Sequence, residues 1–396
     1  MRRVAVTGIG VVSALGPDAK SFEAGLRAGR SGIAPLTLFD TAGFRATLAA
    51  QAPDPTPPVD EARLATASRP DRFGLQAAFE AVAHAGLDAR ALADAAVIFG
   101  TGTGGLTATE AFVKAGDGDA SMLIAHQPAS VTDLVARHLG AHGPRTTIMT
   151  ACSSSATAIG YAADRVRLGH VDVALAGGAE GLTRLTYAGF GCLRATAPGD
   201  EPCRPFDAER KGLTLGEGAA VLVLEDFDRA RARGATILAV VAGWGITADA
   251  HHMTAPHPEG DGAARAMRMA LDDAHLSADA IGYVNAHGTG TPHNDAAETL
   301  ALKSVLGARA PSVPVSSIKS MVGHTLGAAG AIEAVASVLS LARGFLPPTV
   351  HLRTPDPAFG LDYVPGAARE IEVEAILSNS FAFGGNNTVL AFSRQG

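Results

Sequence analysis

Short runs of β-branched and small apolar residues recur along the chain without polar alternation, the pattern of strands buried on both faces. They fall at 3–7, 96–100, 146–149, 171–176, 220–224, 237–241, 283–286, 313–316 and 389–392. Between several of them lie Ala- and Leu-rich stretches at 72–85, 154–168, 263–274, 296–306 and 328–342 that predict helices. Buried strands alternating with helices predict an α/β fold. The segments 52–58 (APDPTPP) and 194–205 read as surface loops.

The order of these units repeats. VAVTGIG, AVIFGTGTGG and TTIMTACSSSATAIGYAADRV run through the first half, and LAVVAGWGI, YVNAHGTGT and VPVSSIKSMVGHTLGAAGAIEAVASVL through the second. Each series is a strand with a Gly turn, a strand with a second Gly-rich turn, then a strand, a small-residue turn and an Ala-rich helix. The parallel predicts two duplicated α/β halves, 1–233 and 234–396. Chemistry in such folds gathers at the C-terminal ends of strands. Cys152 in the first half and His287 and His324 in the second are therefore expected to converge.

Composition narrows the classes. Of 396 residues, 47% are hydrophobic and 18% charged, enough apolar surface for a large core. The net charge of -7 and the lack of a long basic run argue against nucleic acid as a partner. Arg63, Arg69 and Arg72 could meet an acidic partner locally or simply form a solvated helix face. The odd trio Cys152, Cys192 and Cys203 argues against a disulfide framework and for a reducing, cytoplasmic setting. The basic start and apolar stretch of MRRVAVTGIGVVSALG resemble a signal peptide, but Gly8, Gly10 and Gly16 interrupt it, and it reads better as a strand ending in a Gly-rich turn. No apolar run reaches the roughly 20 residues that span a bilayer, so no membrane association is expected.

Cys152 stands in TACSSSA, between a strand end near 149 and a helix beginning near 153. Unpaired N–H groups and the positive end of a helix there lower a thiol's pKa and favour a nucleophilic thiolate. The alternative is a small buried hydrophobe, the usual fate of a free cysteine. His287, in NAHGTGT, sits at a strand mouth, where Gly288 and Gly290 let backbone approach a ligand and Thr289 and Thr291 offer hydroxyls. Taken alone, it is more often a satisfied core histidine. His324, in KSMVGHTLGAAG, precedes a helix of small residues, which disfavours the imidazolium and leaves a neutral N–H donor. Lys319 and Glu333 flank it, as orienting groups or as an internal ion pair. In SNSFAFGGNN, Phe381 and Phe383 hinged on Gly384 and Gly385 suit a mobile gate or an ordinary hairpin turn.

Other readings fail on specifics. GIGVVS has Ser13 where a dinucleotide fingerprint needs its third glycine, and Gly16-Pro17 interrupts the helix that should follow. GTGTGG at 100–105 lacks the Lys-Ser/Thr of a phosphate loop. His251, His252 and His257 come without HExxH or a cysteine pair, so no metal is expected.

TACSSS, NAHGTGT, KSMVGH, AAGAIE and FAFGG, in this order across nearly the whole chain, resemble the β-ketoacyl-[acyl-carrier-protein] synthases of the elongating, FabF-like type within the thiolase-like superfamily. RPFDAERKGLTLGEGAAVLVLE at 204–225 resembles that family too. The resemblance implies a layered α-β-α-β-α fold. It implies a Cys152-His287-His324 triad, with Lys319 beside the second histidine and Phe383 as gate and oxyanion-hole donor. It implies Thr289 and Thr291 on the phosphopantetheine arm, and Phe190 near the acyl pocket with Phe381 among the substrate-binding residues. It also implies an acyl carrier protein as partner, no cofactor beyond the phosphopantetheine arm, and a homodimer or a heterodimer with a chain-length subunit. The expected reaction is a decarboxylating condensation in fatty-acid, polyketide or polyene synthesis. Against it stand a noncatalytic chain-length subunit, which lacks the cysteine, and a CoA-dependent thiolase, which has a second cysteine in its C-terminal half. Two departures stand out. Ala382 replaces a gate glycine, and 106–127 is short for the family.

Overall fold

The computed structural model describes residues 1–116 and 119–394; two positions of the short 106–127 stretch lie outside them. Ten strands form the main sheet. They are β1 (Val4–Val12), β2 (Ala96–Gly100), β3 (Arg145–Ile148), β4 (Val173–Glu180) and β5 (Gly218–Asp226). The second set is β6 (Ala239–Ala248), β7 (Ile281–Asn285), β8 (Val315–Ser316), β9 (Ala375–Phe381) and β10 (Asn386–Ser393). The spatial order is β3-β2-β4-β5-β1 followed by β6-β10-β9-β7-β8. Read from its outer edge to the seam, each set of five has its third, second, fourth, fifth and first strand in that order, and each runs parallel, parallel, antiparallel, antiparallel. The sets meet along a narrow seam, where Ala5 pairs with Val240 and Val6 with Ala239.

Six helices cover the sheets: α1 (Arg69–Ala85), α2 (Ser130–Leu139), α3 (Ser154–Arg167), α4 (Asp261–Ala274), α5 (Pro292–Leu306) and α6 (Ala329–Arg343). Along β5, Ala220, Leu222 and Leu224 pack with α3 and α6, while Ala219, Val221 and Val223 pack with α1 and α2. Along β9 and β10, Ile376 and Leu390 face α3 and α6, and Leu377 and Ala391 face α4 and α5. Period-2 alternation between two apolar faces explains the continuous apolar runs. The result is α1/α2, sheet, α3/α6, sheet, α4/α5: the α-β-α-β-α layering. The segment Leu326–Arg343 is apolar enough over 18 residues to resemble a membrane span, yet 89% of it is buried between the sheets.

Boundaries differ from the sequence reading in instructive places. β1 does not end in a turn at Gly8; it continues through Gly10 to Val12. A Cβ on Gly8 or Gly10 would lie 2.2 or 2.0 Å from a carbonyl of α1, so these glycines let the helix lie against the strand. α1 starts three residues before the predicted 72, where Ser68 and Asp71 form a capping box around Pro70. Arg69 is no solvated surface charge: it holds the fully buried Glu217 at 2.9 and 2.7 Å. The stretch 378–387 is largely strand, since Phe381 pairs with Asn387 across a tight β9–β10 turn.

Candidate active site

Cys152 lies on a 3-10 turn, Ala151–Ser153, between β3 and α3. Ala151 has a left-handed φ of 52°, a strained conformation for a residue with a Cβ. That turn leaves the Cys152 N–H with no acceptor among the described residues, and the Phe383 N–H is directed at the sulfur. Burial pushes the thiol up to about 11, against the opposing pull of Lys319 and the Phe383 N–H. This corrects the sequence expectation of a depressed pKa. At 5% exposure the loss of water outweighs Lys319 and the Phe383 N–H, and Cys152 rests as a thiol.

His287 follows β7. Its N–H and that of Gly288 each donate to Glu298 on α5 at 2.8 Å, and Asp295 takes the N–H groups of Thr289 and Gly290 at 3.0 and 3.2 Å. Lys319 sits behind the ring, 3.2 Å from Nδ1, and pairs with the buried Glu333. An ammonium only donates, so Nδ1 of His287 accepts and Nε2 carries the proton. His324 reaches the same tautomer by another route, because the Leu326 N–H donates to its Nδ1 at 3.2 Å. Its backbone is tied to the first half: its N–H donates to Thr214 at 2.7 Å and its carbonyl accepts from Gly216 at 3.0 Å. Burial first, then Lys319, holds both imidazoles well below the usual histidine range, with His324 adding to the effect on His287. The rings pack edge-on with centroids 5.3 Å apart. Both therefore present a neutral Nε2–H.

One pocket of about 410 Å³ gathers Cys152, His287, His324, Thr289, Thr291, Phe190, Phe381 and Phe383. Lys319 stands behind its wall. Phe190 and Phe383 stack with centroids 5.7 Å apart, closing one side. The hydroxyls of Thr289 and Thr291 bond each other at 2.8 Å. Gly384 and Gly385 are left-handed at φ 83° and 76°, while Ala382 is extended at φ -123°, which any residue adopts. The closed turn thus requires no glycine at 382. Apolar Leu182, Leu213, Leu326 and Tyr187 pack about Cys152.

Sequence reasoning missed four polar groups. Asp249 and Asn387 bond at 2.7 Å and anchor the Gly385 turn, whose carbonyl accepts from the Asp249 N–H at 2.9 Å. Glu180 and Glu298 are buried carboxylates that hold backbone, and burial pushes each up to about 7. No motif spacing marks them; only the fold brings them to the strand ends.

The chain has relatives over its full length. Residues 1–230 match the β-ketoacyl synthase N-terminal domain family and residues 238–353 the C-terminal domain family. A 3-oxoacyl-[acyl-carrier-protein] synthase 2 from Synechocystis sp. is 41% identical over 99% of this chain and 98% of its own. The solved ishigamide ketosynthase/chain length factor superposes with a TM-score of 0.94 at 40% identity, covering both chains completely. A type II polyketide ketosynthase, solved with its acyl-carrier protein and bound to the hexaketide, superposes at 0.91 with 31% identity over 99% of each chain. A thiol met by the Phe383 N–H, sharing its pocket with two neutral imidazole donors, now has its family context: the chain belongs to the β-ketoacyl synthases, enzymes of the acyltransferase class.

Proposed function

We propose that the protein joins a Cys152-bound acyl chain to malonyl-acyl carrier protein, releasing CO2 and 3-oxoacyl-carrier protein. The observation that carries this reading is the pairing of Cys152 with two histidines fixed as Nε2–H donors in one pocket. Cys152 attacks the carrier's thioester carbonyl. The N–H groups of Cys152 and Phe383 take the oxyanion, and the thiol's proton ends on the departing phosphopantetheine sulfur. Malonyl-carrier protein then enters, with Thr289 and Thr291 bonding the arm. His287 and His324 donate to its thioester oxygen, and the negative charge left by departing CO2 settles there as an enolate. Its carbon attacks the acyl thioester, the tetrahedral intermediate collapses to the 3-oxoacyl product, and the released Cys152 thiolate takes up a proton from solvent. Lys319 keeps His287 in the donating tautomer. The chemistry runs on these groups and the delivered arm.

The relatives span fatty-acid and polyketide synthases, and one is paired with a chain length factor. We extend to this chain an acyl carrier protein as substrate carrier and a dimer of itself or with a chain-length subunit. Three free cysteines fit a reducing cytoplasm. The test is intact-mass analysis with a panel of acyl-carrier proteins, followed by malonyl-carrier protein. Wild type should gain one acyl mass that disappears as 3-oxoacyl product forms. Loading of Cys152→Ala, or of no donor by wild type, would end the reading.

A further inference from the structure

The two central helices begin alike. Ala151 precedes Cys152 with φ 52°, and Leu326 precedes Gly327 with φ 47°, each on the 3-10 turn that leads into α3 or α6. Gly327 thus occupies in the second half the place of the nucleophile in the first. Their N–H groups fare differently. That of Cys152 is free, and that of Gly327 donates to Oε2 of Glu180 at 3.0 Å. Glu180 ends β4 in the first half and is fully buried. The same Oε2 accepts from Gly102 at 2.7 Å, and Oε1 accepts from the N–H of Thr103 at 3.1 Å and from its hydroxyl. One carboxylate therefore ties the turn after β2 to the turn after His324.

We propose that Glu180 is a positioning residue for His324. It fixes Gly327, hence the strained Leu326, whose N–H sets the tautomer and direction of the imidazole. Glu180 does not line the pocket and reaches His324 through this turn; its charge also raises the Cys152 thiol, after burial and against Lys319 and the Phe383 N–H. Cys152 gains no bond from it; its helix start is held instead by Ser154, which accepts from the Thr150 N–H at 2.9 Å and donates to the Ala151 carbonyl at 2.6 Å, with the Thr101 carbonyl at 3.1 Å. The proposal rests on the reading of His324 as an enolate-stabilising donor.

The test separates the two half-reactions in Glu180→Gln, which keeps the shape but turns one acceptor into a donor. Malonyl-carrier decarboxylation should lose roughly 10- to 100-fold in kcat, with KM within about twofold. Acylation of Cys152 in a single turnover should stay within about threefold of wild type. Unchanged kcat, or an equal fall in both half-reactions, overturns the proposal. Should Glu180→Gln fail to fold, Thr103→Val removes one of the carboxylate's partners and should show the same selectivity at roughly 3- to 10-fold; no selectivity there overturns it equally. Wild-type protein that does not decarboxylate malonyl-carrier protein would instead defeat the reaction assigned above.

Discussion

The starts of α3 and α6 are the most informative pair of regions in the molecule. Both follow the third strand of their half, both enter the helix through a left-handed non-glycine residue, and both helices lie in the central layer. One start carries a thiol and an uncommitted N–H. The other carries a glycine whose N–H is taken by Glu180 and a histidine two residues upstream of its strained residue. On the proposed reading, the same backbone device would serve covalent attachment in one half and placement of a donor in the other. The difference lies in a few side chains and in whether one amide is left free. It also assigns the steps: acylation should depend on the first start, decarboxylation on the second.

The largest expected break is Cys152→Ala. Acylation should fall by at least about 10⁴-fold while malonyl decarboxylation persists, read by mass and CO2 release. Loss of both together would deny the division. Next is the thiol's own titration. Because burial raises Cys152 to about 11, its thiolate fraction and its alkylation rate should climb about tenfold per pH unit from neutrality upward. A plateau near neutrality would mean that the helix start overrides burial. His287→Ala and His324→Ala should each cost about 10²- to 10³-fold in decarboxylation and much less in acylation, assayed on the separated half-reactions. The smallest effect is on stability. A Cβ on Gly327 would lie 2.1 Å from the Gly102 nitrogen, so Gly327→Ala should cost about 1–3 kcal/mol in denaturant unfolding.

Much of this architecture was legible. The buried strands read as apolar runs because both faces are covered, and the repeated strand–turn units fall on strands that hold the same place in each set of five. The motifs around Cys152, His287, His324 and Phe383 sit on turns at strand ends, where short Gly- and Ser-rich signatures are easy to see. β9 was missed, because Ala375–Phe381 ends in a serine- and asparagine-rich stretch that imitates a loop. The strand holds because Ser378, Asn379 and Ser380 are buried with their backbone paired to β10. The Cys152 pKa was read with the wrong sign, since local sequence shows the helix start but not the leucines and tyrosine that exclude water. Glu180 and Glu298 were invisible because their partners lie 77, 78 and 147, or 10, 11 and 81, positions away with no spacing rule to link them.

The burial of α6 between the sheets has a consequence for synthesis. This helix covers the inner face of the first sheet as well as the second, yet it is made roughly a hundred residues after that sheet is complete. At about 5–20 residues per second, the first half waits on the ribosome for roughly 5 to 20 seconds with α3 alone on that face. During that interval the nascent chain exposes the apolar surface that the finished enzyme hides best. Its yield in the cell should therefore depend on chaperone supply and on translation rate through 234–343 more than on the stability of the completed fold.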